Sequence, residues 1–146
     1  MIVKVFKGVW FLSLMATMAA FLFVYASLPE SIVVQEGEVA QSISRNGLFY
    51  ATLALLGVFN ALVFIVTRLY ADSNEYLKAW FYGLVVFLNV FFVVALQFWN
   101  LYNSQEKFNY DSIGYIIYGS IAVVVLWSSL WPLYFIIQKI SNKSIV

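Results

Sequence analysis

The sequence contains no cysteine and no histidine among its 146 residues. Without cysteine, disulfides, thiol redox chemistry and thiolate-bound metals are excluded. Without histidine, haem or metal sites built on imidazole are excluded, and so is proton transfer through imidazole. We therefore predict no cofactor and no metal site. Any binding chemistry must come from amides, hydroxyls, aromatic rings and the few charged groups.

Charge is also scarce, since only 10% of the residues are Asp, Glu, Lys or Arg and the net charge is +1. This balance gives no basic surface of the kind that nucleic acid requires, so we predict no nucleic-acid partner. The charged residues fall into five short clusters, and the four stretches between them are uncharged. Each stretch can cross a hydrocarbon core about 30 Å thick, which takes about 20 helical residues.

A helix in a soluble protein would carry a charged outer face, and these stretches carry none. We therefore predict an all-α membrane protein with four transmembrane helices in an up-down bundle that forms a single domain. The predicted spans are approximately residues 8–28, 46–67, 79–102 and 112–138.

The distribution of lysine and arginine predicts the orientation. With the N-terminus in the cytoplasm, six basic residues flank the inner ends of the spans, and only Arg45 and Lys107 lie in the outer loops. Because basic residues favour the cytoplasmic side, and the number of spans is even, both termini are predicted to be cytoplasmic in a bacterial-type inner (plasma) membrane. Lys4 and Lys7 before an apolar run are also typical of a signal peptide. The apolar run is longer than that of a typical signal peptide, which favours a first transmembrane helix.

Small residues recur at helical spacing on three of the predicted helices. They are Ser13, Ala16, Thr17, Ala20 and Ser27 on helix one; Gly47, Ala51, Ala54, Gly57 and Ala61 on helix two; and Gly119, Ala122 and Ser129 on helix four. Because lipid chains are as apolar as leucine, close approach of backbones across small residues drives helix association in membranes. We expect these faces to be buried, with the faces of helices one and two matching each other.

Two tryptophans lie one turn apart on helix four. Trp127 and Trp131 precede Pro132 and point away from the small residues of that helix. We expect this pair to face lipid or a neighbouring protein.

Helix three differs from the other predicted helices because one of its faces carries carboxamides. That face comprises Tyr82, Asn89, Asn100 and Asn103, with Gln97 at its edge. Carboxamides in lipid are costly unless they are paired, so this face should look into protein or water. Asn60 of helix two lies at nearly the same depth as Asn89, which predicts a hydrogen bond between them. A polar lining for a small ligand or a lipid headgroup, and an interface with another subunit, are the alternatives. The candidate binding or packing residues are Asn60, Tyr82, Asn89, Gln97 and Asn100.

The loop between the first two helices is the longest, and within it Ile32, Val33 and Val34 predict a short extended or interface-lying segment. The segment Tyr25–Glu30, followed by Gly37 and a second helix that begins with aromatic residues, resembles the end of helix one in the DUF1648 family of membrane proteins, which includes SdpI-type immunity proteins. The histidine that usually follows in that family is missing here. The resemblance implies a small immunity-type membrane protein.

No predicted span contains an ionisable Asp, Glu, Lys, Arg or His. Proton-coupled transporters need an intramembrane carboxylate, and intramembrane proteases need a nucleophile with a base or a metal. We therefore predict a non-catalytic protein, an accessory or scaffolding subunit of a larger inner-membrane complex. Its partners would be membrane lipids and other integral membrane subunits. The alternative is a protein that binds a lipid or a hydrophobic peptide on the polar face of helix three; a transporter ranks last.

Overall fold

The computed structural model describes residues 2–35, 41–69, 75–104 and 110–143. Four helices within these ranges are long and apolar enough to cross a membrane, which confirms the predicted all-α membrane architecture. They are α1 (Ile2–Ser27), α2 (Arg45–Leu69), α3 (Glu75–Tyr102) and α4 (Tyr110–Lys143). Most extend beyond the uncharged stretches, because a helix can continue past the hydrocarbon and carry its flanking charges into the polar region.

Helix α3 lies at the centre of the fold and contacts all three other helices. Its largest contact is with α1, whereas α4 packs chiefly against α3. Trp10 lies beside Tyr82, with ring centroids 5.8 Å apart, and the Ser27 hydroxyl donates to Asn100 at 2.9 Å. These two contacts show that α1 and α3 run parallel to each other.

The core consists of two apolar clusters. The cluster near the C-terminal ends of α1 and α3 contains Phe21, Val24, Leu28, Ile32, Leu48 and Leu96. The cluster near their N-terminal ends contains Trp10, Val63, Tyr82 and Val85. Many other large apolar side chains are exposed on the outside of the helices, as expected for surfaces that meet lipid.

A β-hairpin connects α1 and α2. Strand β1 (Ser31–Gln35) pairs antiparallel with β2 (Gln41–Ser44), and Ile32 lies opposite Ile43. The predicted extended segment is therefore confirmed. The return strand was not predicted, because it has one apolar residue in four and depends on its partner for hydrogen bonds.

The side chain of Asn103 joins this hairpin to α3. Its Oδ1 accepts from the Val33 backbone N–H at 2.8 Å, and its Nδ2 donates to the Val33 carbonyl at 3.2 Å. The carboxamide thus pairs with β1 as a neighbouring strand would. The hairpin side of the molecule is consequently fixed to the end of α3.

The small-residue face of α2 is exposed, contrary to the prediction. The buried residues of α2 are instead Leu48, Thr52, Leu56, Asn60 and Val63. The buried and small faces lie on opposite sides of the helix, about half a turn apart at about 3.6 residues per turn. Because an unpaired carboxamide in an apolar medium is costly, the pairing of Asn60 decides which face is buried.

The small-residue faces of α1 and α4 are also only partly buried. Thr17 is buried and Ser13 half-buried on α1, and both hydrogen-bond towards α3, whereas Ala16 is exposed. On α4, Gly119 and Ala122 are exposed.

Candidate functional site

The two carboxamides Asn60 and Asn89 meet in the middle of the helix assembly. Asn60 Nδ2 donates to Asn89 Oδ1 at 3.0 Å, and Asn89 Nδ2 donates to Asn60 Oδ1 at 3.2 Å. Both residues are buried, at 6% and 0% exposure respectively. The predicted hydrogen bond between α2 and α3 is therefore confirmed, and it is reciprocal.

Side chains of helix α1 also belong to this polar site. The indole N–H of Trp10 donates to Asn60 Oδ1 at 2.8 Å, and Asn89 Nδ2 donates to the Ser13 hydroxyl at 3.0 Å. The Thr17 hydroxyl lies 3.3 Å from the backbone carbonyl of Asn89. Sequence reasoning missed α1 as a partner, although Trp10, Ser13 and Thr17 recur at one-turn spacing and could have indicated it.

The direction of each hydrogen bond is set by neighbouring groups that can act only as a donor or only as an acceptor. An indole N–H can only donate, so the oxygen of Asn60 must face Trp10. Its nitrogen then faces the Leu56 carbonyl, which accepts at 2.9 Å. The Ser13 hydroxyl donates to the Trp10 carbonyl at 2.8 Å, so it accepts from Asn89. All four amide hydrogens of the pair therefore have acceptors, and such a satisfied buried network rigidifies the helices that share it.

The other candidate residues lie around this network. The ring of Tyr82 is buried against Trp10, and Asn100 Oδ1 accepts from Ser27 at 2.9 Å, nearer the hairpin. Gln97 is half-buried and makes no hydrogen bond within the described part of the chain. The polar face of α3 is thus turned towards α1 and the hairpin. Its groups are neutral, and their role in this arrangement is to hold helices together.

A second site joins α4 to α3, at Trp127. Its indole N–H donates to the Trp80 carbonyl at 2.9 Å, and the Trp80 indole donates to the Trp127 carbonyl at 2.8 Å. A Cβ atom on Gly83 would lie 2.5 Å from Trp127 Cζ2, so the indole occupies a notch that only glycine provides. The ring of Trp131 also packs on Trp80, at 6.2 Å between centroids.

The prediction that Trp127 and Trp131 face lipid or a neighbouring protein is therefore wrong for Trp127, which packs into α3. The ring of Trp131 also contacts α3, through Trp80. An indole N–H in an apolar medium gains from a carbonyl partner, and the notch at Gly83 brings one within reach. Gly83 was not singled out in the sequence, because a single glycine in an apolar helix is a weak signal.

Comparisons of the chain with protein-family models, with curated proteins and with solved structures found no match.

Proposed function

We propose that this chain is a non-catalytic accessory or scaffolding subunit of a larger assembly of integral membrane proteins in a bacterial-type inner membrane. The four helices would cross in up-down order, with both termini in the cytoplasm. The observation that carries the proposal is the exposure of the α4 side chains. No residue of α4 is buried within 113–141, where its side chains are described, whereas α1, α2 and α3 bury four, five and six residues.

One face of α4 has features of an interface between proteins. Tyr115 and Tyr118 lie one turn apart and are 77% and 72% exposed. Tyr118 is eight residues past the start of α4, about 12 Å along the helix, where an unpaired hydroxyl in hydrocarbon is unfavourable. Tyrosine is enriched in protein interfaces because its ring packs while its hydroxyl finds a partner. A partner helix that covers this face would satisfy both hydroxyls.

The alternative function, a lipid or hydrophobic peptide held against the polar face of α3, receives less support. Asn89 and Asn100 already have hydrogen-bond partners within the chain, and of that face the Gln97 side chain and the Tyr82 hydroxyl make no hydrogen bond in the described residues. A catalytic role has no support from the network, since its side chains are carboxamides, hydroxyls and an indole.

A photo-activatable amino acid at Tyr118, introduced in living cells, tests the proposal. We expect it to cross-link to one membrane protein that also co-purifies with the chain in a constant ratio in mild detergent. The same amino acid at Phe23 of α1, which is 67% exposed, is the matched control and should cross-link to lipid alone. Cross-links to lipid alone at both positions would argue against the accessory-subunit function.

Cysteine labelling tests the predicted orientation. The chain has no native cysteine, so Ser42→Cys and Ser141→Cys each provide one labelling site on an exposed residue. Because of the lysine and arginine distribution, we expect an impermeant maleimide to label position 42 in intact cells and position 141 only after permeabilisation. The opposite pattern would reverse the orientation without affecting the fold.

A further inference from the structure

An apolar groove lies between α2 and α3 on the hairpin side of the Asn60–Asn89 pair. It encloses a cavity of about 310 Å³, and its facing walls include Ala51 and Ala95. The two helices share fewer contacts than α1 and α3 do, and the carboxamide pair holds them together at mid-length. Beyond that point the small side chains of Ala51 and Ala95 line the space between the helices without filling it.

The length of the groove matches the depth of one leaflet. Its walls run from Leu48 to Leu55 on α2 and from Phe91 to Trp99 on α3. These spans correspond to about 11 and 12 Å of helix, against about 15 Å for half of the hydrocarbon core. The cavity is about twice the size of the ~150 Å³ apolar cavity that stays dry and binds benzene. Its size and lining therefore suit a hydrocarbon chain better than water.

One hydrogen-bond donor lies at the hairpin end of the groove. Trp99 lines this end, and its indole N–H makes no hydrogen bond within the described part of the chain. Arg45, the first residue of α2, lies outside this groove: its guanidinium is 5.2 Å from the Tyr25 ring centroid, and it lines a separate polar cavity with Glu30. Its Nη1 donates to the Leu28 carbonyl at 3.1 Å, while its Nε is buried without a partner. An indole N–H above an apolar groove complements an ester oxygen of a lipid above its chain.

We infer that this groove holds one acyl chain of a phospholipid from the leaflet on the hairpin side, with an ester oxygen beside Trp99. This site is separate from the polar face of α3 and from the proposed partner face of α4. It would hold lipid whether or not the chain belongs to a larger assembly.

Native mass spectrometry of the purified chain, with phosphatidylglycerol added in mild detergent, tests the inference. Ala51→Leu and Ala95→Leu place a side chain inside the groove. Because the added side chain and the acyl chain cannot occupy the same space, each should largely abolish the retention of phospholipid. Ala54→Leu adds the same side chain to an exposed position of α2 and is the matched control. It should retain one phospholipid, as the unsubstituted chain does.

Equal retention by all four proteins, or no retained lipid in the unsubstituted chain, would overturn the inference. Added phospholipid should also raise the melting temperature of the unsubstituted chain and of Ala54→Leu, but not of the two filled variants. The circular dichroism spectrum of each variant reports whether it folds.

Fluorescence quenching tests the same site without filling the groove, so it can be used even if a leucine variant does not fold. Phospholipid with bromine in the upper part of its chain should quench tryptophan fluorescence, and the quenching should persist when the lipid is diluted with detergent. Trp99→Phe should remove the persistent part, because Trp99 is the tryptophan that lines the groove. Quenching that disappears on dilution, or that Trp99→Phe leaves unchanged, would contradict the site.

Discussion

Replacing Asn60 with leucine should lower the free energy of unfolding by about 1–2 kcal/mol. The substitution removes the acceptor of the Trp10 indole and one partner of Asn89, so it leaves two buried donors without acceptors at the centre of three helices. Asn89→Leu should cost less, about 0.5–1.5 kcal/mol, because Asn60 would keep its bonds to Trp10 and to the Leu56 carbonyl. Equilibrium unfolding in mixed detergent micelles measures both costs.

The double variant of Asn60 and Asn89 separates the pair from its surroundings. Each single substitution already breaks the reciprocal bonds, so the double variant should cost less than the sum of the two. Gln97→Leu is the matched control on the same face of α3 and should change stability by less than about 0.5 kcal/mol, since Gln97 makes no hydrogen bond within the described residues. Strictly additive costs would mean that the hydrogen bonds between Asn60 and Asn89 contribute nothing to stability.

Replacing Gly83 with alanine should lower the free energy of unfolding by about 1–3 kcal/mol. Alanine normally favours a helix over glycine by up to about 1 kcal/mol, but here its Cβ would lie 2.5 Å from the Trp127 ring. The ring cannot move aside without breaking the reciprocal bonds between Trp80 and Trp127, so the steric cost outweighs the gain. The same unfolding assay measures the result, and α4 should separate from α3 first.

Gly57→Ala is the matched control for this substitution. A Cβ atom at Gly57 would meet nothing within 4 Å, so the variant should be neutral or more stable by up to about 1 kcal/mol. In a Trp127→Leu background, Gly83→Ala should cost less than in the unsubstituted chain, because the clashing ring is absent. If Gly83→Ala and Gly57→Ala behave alike, the notch at Gly83 does not determine how α4 packs.

Much of the candidate site could be predicted by comparing depths along the helices. Asn89 follows Lys78 by eleven residues and Asn60 precedes Arg68 by eight, which places the two carboxamides at similar heights above one boundary. A carboxamide within hydrocarbon needs a hydrogen-bond partner, and the similar height of the two residues was enough to identify Asn60 as the partner of Asn89. The contribution of α1 escaped this reasoning, because Ser13 and Thr17 can bond within their own helix and so need no partner outside it.

The positions of the charged residues are enough to show that four helices are long and apolar enough to span a membrane. Each charged residue is excluded from hydrocarbon individually, so the pattern of charges marks the spans without reference to any other part of the chain. Which helix faces are buried depends on how the helices pack together. On α2 the carboxamide face is buried instead of the small-residue face, and Trp127 lies in the notch at Gly83 instead of in lipid. Burial of a face depends on a partner distant in the chain, and the gain from a paired carboxamide or indole N–H in an apolar medium outweighs the packing of small residues.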